Sequence, residues 1–170
     1  MKTRLLERDA RLSARMRVAD QPGGLRTSAA LLAHSGDSWF WLLGLGLLWV
    51  FADETWKQRA LMLGAGILLT AAVVMLIKFS VRRRRPDGDW GRIYRNTDPH
   101  SFPSGHAARA IMLSILALNL GPGWFGALLL AWAPLVGLAR VSMGVHYLSD
   151  VVAGMVLGLV MGLVVLRLPI

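Results

Sequence analysis

Apolar residues come in five runs along this chain, at about 39–51, 60–81, 104–120, 124–141 and 148–168, separated by shorter polar stretches. A helix needs about 20 such residues to cross a hydrocarbon core of about 30 Å. The first run falls short of that unless Ala29–His34 lengthens it, whereas the other four approach it. Ahead of them, residues 3–18 place Leu5, Leu6, Leu12 and Met16 among many arginines. That pattern suits a helix lying among lipid headgroups or, equally, a basic solvated tail. Gln21-Pro22-Gly23-Gly24 then breaks it as a turn. The pattern predicts an all-α integral membrane helical bundle of about five transmembrane helices plus an N-terminal amphipathic segment. Residues 1–28 form the basic segment and 29–170 the membrane-embedded domain.

Composition sharpens this picture. The chain is 55% hydrophobic and only 17% charged, with a mean hydropathy of +0.50, richer in apolar residues than soluble domains are. Its net charge of +9 is spread between apolar runs instead of covering one polar domain, so membrane lipids or an anionic substrate fit better than nucleic acid. The absence of cysteine excludes disulfides, thiolate metal sites and a cysteine nucleophile. No apolar core with a small-residue cleavage site follows the arginine-rich start, and no cleaved signal peptide is expected. Trp39, Trp41, Trp49, Trp56, Trp90 and Trp124 sit near predicted helix ends, where indole rings favour the interface.

Alternating helices bring the polar chemistry to one membrane face. Lys78, His106, Arg109, Arg140, His146 and Asp150 lie at or inside helix ends, and ionisable groups there are costly unless they function or pair. Lys78 and the arginines through Arg85 supply cations, although basic flanks also simply anchor helices. In Phe102-Pro103-Ser104-Gly105-His106, Ser104 is a good N-cap and the unpaired N–H groups of the first turn suit a phosphate. A protonated His106 beside that anion can donate to a leaving oxygen; Pro-Ser-Gly is also an ordinary helix start. His146 and Asp150, four apart, share a helical face. The carboxylate can then take the imidazole N–H and leave the other nitrogen as nucleophile, or the pair is a structural hydrogen bond.

Taken together, Lys78-x6-Arg85-Pro86, Pro103-Ser104-Gly105-His106 and Arg140-x5-His146-x3-Asp150 closely resemble the three-part signature of the type 2 phosphatidic acid phosphatase superfamily, which also includes vanadium haloperoxidases and glucose-6-phosphatase. The match spans about residues 60–160, and the chain looks like a short bacterial member. The resemblance implies that Lys78, Arg85 and Arg140 hold the phosphoryl oxygens with Ser104 and the Gly105 amide. It implies that His146 attacks phosphorus, that Asp150 orients it, and that His106 protonates the departing alcohol and then helps water cleave the phosphohistidine. No metal and no cofactor are expected, because three cations and a helix N-terminus neutralise the charge. The implied function is hydrolysis of a lipid phosphate monoester or diphosphate: phosphatidate, phosphatidylglycerophosphate, polyprenyl diphosphate or a polyprenyl-linked sugar phosphate. Two departures stand out. Ala139 replaces the Ser that often precedes the motif arginine, and many relatives have six spanning helices.

The remaining polar residues read more plainly. Arg82, Arg83 and Arg84 suit interfacial anchors, Arg109 a partner for a carboxylate, and His34 a boundary position. Asp98 and His100 either line the pocket or are loop polarity, and Arg82–Pro103 would set headgroup selectivity. A vanadate-dependent haloperoxidase is opposed by membrane burial and small size, and a non-catalytic transporter by polar residues gathered at one set of helix ends. Oligomeric state is open. Lys2, Arg4, Arg8, Arg11, Arg15, Arg17 and Arg26, with Arg82–Arg85, Arg92 and Arg95 in the long loop, outweigh Lys57, Arg59 and Arg167 on the opposite face. The positive-inside rule therefore places a multi-pass protein in the cell (inner) membrane with its active site cytoplasmic.

Overall fold

The computed structural model describes residues 2–88, 90 and 98–168. Arg92, Arg95 and the middle of the expected selectivity loop lie outside them. Among the described residues the helices are α1 (Lys2–Arg15), α2 (Gly24–Ser35), α3 (Ser38–Phe51), α4 (Glu54–Val81), α5 (Gly105–Leu120), α6 (Gly123–Ser142) and α7 (Leu148–Val165). Each of the five apolar runs forms a helix. By length and composition α4, α6 and α7 can cross a membrane, and α3 and α5 are shorter apolar helices. Leu68, Leu76, Val156 and Leu163 are all more than half exposed on these helices. In water that surface would aggregate, whereas in hydrocarbon it is the contact with solvent.

Ala29–His34 does not lengthen the first span. Gly36 and Asp37 leave helical geometry, Asp37 adopting an extended φ of −67° and ψ of 138° before α3, so residues 29–51 make two helices. α4 begins earlier than its apolar run because the Asp53 carboxylate accepts from Trp56 N at 3.0 Å, a helix cap that precedes acidic Glu54.

α5 is the central helix, packed against α4, α6 and α7, and Ala107, Ala108, Ala110, Met112, Leu113 and Leu116 are fully buried along it. α7 approaches it through Gly154, Gly158 and Gly162. A Cβ on Gly154 or Gly158 would collide with the Ser104 or Ala108 carbonyl oxygen, and one on Gly162 would lie 2.8 Å from Ile115 Cβ. Small residues spaced by four let helix backbones meet in a membrane. The result is local: the starts of α5 and α7 touch, with Ser104 N donating to Asp150 O at 2.9 Å.

The polar connections close over this end. Ser101 N donates to Arg83 O at 2.8 Å, and Arg84 and His100 form an isolated β-bridge. α1 is a helix docked on the bundle, not a solvated tail. Ser13 Oγ accepts from Leu148 N at 2.9 Å and Asp9 accepts from Ser149 N at 3.1 Å, so α1 caps the start of α7. Its Leu5, Leu6 and Leu12 remain exposed.

Candidate active site

His146 sits in the turn that joins α6 to α7 and is 1% exposed. Arg85 Nη1 lies 3.3 Å from His146 Nε2 and donates to Val145 O at 2.7 Å. Arginine only donates, so in this contact Nε2 presents a lone pair and the ring proton belongs on Nδ1. Burial, followed by the charges of Arg85, Arg140 and Lys78, pushes the imidazole well below its ordinary pKa. Burial and these three charges all disfavour a proton on His146.

The expected His146–Asp150 contact differs from the helical pair of the sequence reading. His146 precedes α7, and Nδ1 is 3.7 Å from Asp150 Oδ2, beyond hydrogen-bond reach. The carboxylate is engaged elsewhere. Tyr147 N donates to Oδ2 at 2.9 Å and Arg83 Nη1 donates to Oδ1 at 2.7 Å.

A cavity of about 120 Å³ opens beside His146, lined by Lys78, Gly105 and His106, with Asp98, Arg109 and Thr70. Lys78, Arg85 and Arg140 are each at most 3% exposed. Asp98 bridges two of them: its carboxylate accepts from Lys78 Nζ and from Arg85 Nη2, the latter at 2.8 Å. Of the two readings of Asp98, pocket wall is the one observed. Ser104 is buried behind the cavity, its Oγ accepting from Ala107 N at 3.4 Å as the cap of α5. The structure thus gathers Lys78, Arg85, Gly105, His106, Arg140 and His146 and holds Ser104 and Asp150 immediately behind them.

His106 has a partner from a distant element. Its Nε2 donates to Asp37 Oδ1 at 2.6 Å, and His34 Nδ1 lies 3.1 Å from Asp37 Oδ2. Burial raises the Asp37 carboxyl, but hydrogen bonds and charge attraction from His106 and His34 outweigh it and hold it below the usual carboxylate range. His34 is therefore more than a boundary residue. Arg109 Nη1 donates to Gly36 O, and the carboxylate that acts on it is Asp37, through charge and not through a hydrogen bond among the described residues.

Three residues at the site escaped the sequence reading. Arg83 is no interfacial anchor: Nη2 donates to Asp9 at 2.7 Å, Nη1 to Ser149 Oγ at 2.6 Å, and Cζ stacks 4.1 Å from the Tyr147 ring centroid. Arg84, by contrast, has a side chain 79% exposed, as an anchor should. Asp9 and Asp37 come from segments with no recognisable motif. The one available signal was an acidic residue in a basic helix and another in a short turn between helices. Trp41 also departs from the interface pattern, donating to Ser35 O at 3.0 Å and packing on Trp132 at 5.5 Å.

An all-helical membrane bundle carrying buried cations and two histidines around one cavity defines an integral membrane protein of the phosphatase kind. The PAP2 superfamily matches residues 59–169, and the chain belongs to that superfamily. The decaprenylphosphoryl-5-phosphoribose phosphatase of Mycobacterium tuberculosis is 36% identical over 141 residues, 82% of this chain and 77% of that protein. The lipid A 1-phosphatase of Rhizobium etli is 30% identical over 161 residues, 81% of this chain and 68% of the relative. In fold the chain is similar to the crystal structure of a transmembrane PAP2-type phosphatidylglycerolphosphate phosphatase from Bacillus subtilis. The TM-score is 0.74 at 24% identity, covering 95% of this chain and 84% of that one.

Proposed function

We infer that the protein hydrolyses a lipid phosphate monoester or diphosphate, without a metal, through a phosphohistidine at His146. The observation that carries this reading is the Arg85–His146 contact at 3.3 Å, which keeps a lone pair on Nε2 of a buried imidazole that lines the cavity. Nε2 attacks phosphorus, and the bond to the lipid oxygen breaks as His106, held at Nε2 by Asp37, gives a proton from its other ring nitrogen. Water then attacks the phosphohistidine and loses a proton to His106, and phosphate leaves with the His146 lone pair restored. Lys78, Arg85 and Arg140, with the first turn of α5, hold the equatorial oxygens. Asp150 orients His146 once the substrate draws the ring closer.

The similarity to a decaprenylphosphoryl-5-phosphoribose phosphatase makes a polyprenyl-linked sugar phosphate the first substrate to test, ahead of polyprenyl diphosphate, phosphatidate and phosphatidylglycerophosphate. The basic N-terminal segment favours a cytoplasmic active site in the cell membrane. Phosphate release by purified protein from these four lipids is the test. We expect turnover that survives excess EDTA, is blocked by vanadate and is abolished in His146→Ala. Release from none of the four, or release that depends on added magnesium, contradicts the reading.

A further inference from the structure

Among the described residues, two buried polar atoms lining the cavity have no hydrogen-bond partner. Thr70 Oγ1 and Arg109 Nε make no hydrogen bond among the described residues, although Thr70 is 1% and Arg109 8% exposed, and both line the cavity that His146 and His106 face. A buried polar group without a partner is unusual and calls for one. Helical hydroxyls normally solve the problem by bonding the carbonyl four residues back. Ser80 does so with Leu76 O at 2.8 Å and Ser114 with Ala110 O at 2.7 Å, but Thr70 does not.

Their position gives the missing partner a direction. Thr70 precedes Lys78 by eight residues on α4, roughly 12 Å along the axis at about 1.5 Å per residue, and Arg109 follows His106 by three on α5. Both lie deeper in the bundle than the cations of the cradle. A lipid whose phosphate rests in that cradle runs its leaving group past His106 and on toward this depth.

We propose that Thr70 and Arg109 form a second polar subsite that takes oxygen acceptors carried by the leaving group, either sugar hydroxyls or a second phosphoryl group. The proposal rests on the reading of the site as a lipid phosphate phosphatase. Arg109 Nε donates only, whereas the Thr70 hydroxyl both donates and accepts, so the complementary group offers at least one acceptor and tolerates a hydroxyl. A plain prenyl or alkyl chain offers neither and leaves both atoms unsatisfied. Sites built to bond a polar group discriminate strongly against analogues that lack it.

The test uses the full chain in mixed micelles with three substrates: a prenyl monophosphate, a prenyl diphosphate, and a prenyl phosphosugar carrying a terminal phosphate. Thr70→Val keeps the shape and removes the hydroxyl. The expected result is about a ten-fold fall in kcat/KM on the phosphosugar lipid, the diphosphate or both, with the prenyl monophosphate changed by less than about two-fold, while Thr70→Ser retains the unaltered selectivity. Which substrate suffers identifies the source of the acceptor. An equal fall on all three, or no fall on any, overturns the subsite. Failure of the phosphatase reading shows separately, as no phosphate release by the unaltered protein. In that event thermal stabilisation by the phosphosugar lipid, stronger than by the monophosphate and lost in Thr70→Val, still supports the subsite, and equal stabilisation by both overturns it.

Discussion

Arg83 Nη1 lies 2.7 Å from Asp150 Oδ1, so the carboxylate expected to orient His146 is itself held by an arginine that also reaches Asp9 on α1. The fork joins three elements: α1, the segment after α4, and the start of α7. Arg83→Met releases Asp150 and leaves a buried carboxylate unpaired. If His146 and Asp150 act as proposed, kcat falls roughly 10- to 100-fold through their misplacement, with KM changed far less because Lys78, Arg85 and Arg140 are untouched. Arg83→Lys, which keeps charge without the fork, falls between. Steady-state kinetics on detergent-solubilised protein checks this, and a rise in KM at unchanged kcat would place Arg83 on the substrate.

The depressed His146 pKa sets a pH dependence. The unfolded imidazole titrates near about 6.5, and the folded one lies below that. In acid the unfolded chain therefore binds a proton that the folded chain does not. Stability from this group is complete above about pH 6.5 and is lost as pH falls below it. The acid limb of kcat/KM also lies below about 6.5. Thermal unfolding between about pH 5 and 7 should show a shallower acid loss in His146→Gln than in the unaltered protein, and identical slopes would remove His146 from the titration.

Close packing of α5 on α7 makes Gly158 intolerant of a side chain, since its Cβ would overlap the Ala108 carbonyl. Gly158→Ala should destabilise by about 1–3 kcal/mol. Gly64→Ala, with nothing within 4 Å of the added carbon, should be neutral or better, because alanine favours helix. Unfolding midpoints of the two variants in one detergent separate these outcomes.

How much of this was legible in the sequence follows from what each residue depends on. The five apolar runs became helices because span length and composition are local properties. The motif residues Lys78, Arg85, Gly105, His106, Arg140 and His146 come together because alternating helices return them to one end. Asp9, Asp37 and Arg83 act through contacts that no local pattern encodes: Asp9 bonds Ser149 across 140 positions, and Arg83 sits in an arginine run whose neighbour Arg84 is solvated. The Gly154-x3-Gly158-x3-Gly162 spacing was present to be read, but its partner surface on α5 was not. The His146–Asp150 spacing suggested a helical pair, and the turn before Leu148 lengthened it.

Orientation is directly testable because the chain has no native cysteine. Single cysteines replacing Glu54 and Asp87, whose side chains are 83% and 89% exposed, report opposite ends of α4. In intact cells a membrane-impermeant thiol reagent should label Glu54→Cys and spare Asp87→Cys, the outcome that the positive-inside reading of the basic N-terminal segment predicts. The reverse pattern puts the site outside and assigns the arginines to catalysis and lipid binding instead of topology.

The covalent intermediate is the central claim, and trapping it is the most direct measurement. Purified protein is mixed with a lipid phosphate carrying a radiolabelled terminal phosphate, denatured in alkali within one turnover, and digested for peptide mapping. The account predicts acid-labile, alkali-stable label on the peptide containing His146, absent in His146→Ala. Label on any other residue, or rapid hydrolysis by His146→Ala, would contradict it.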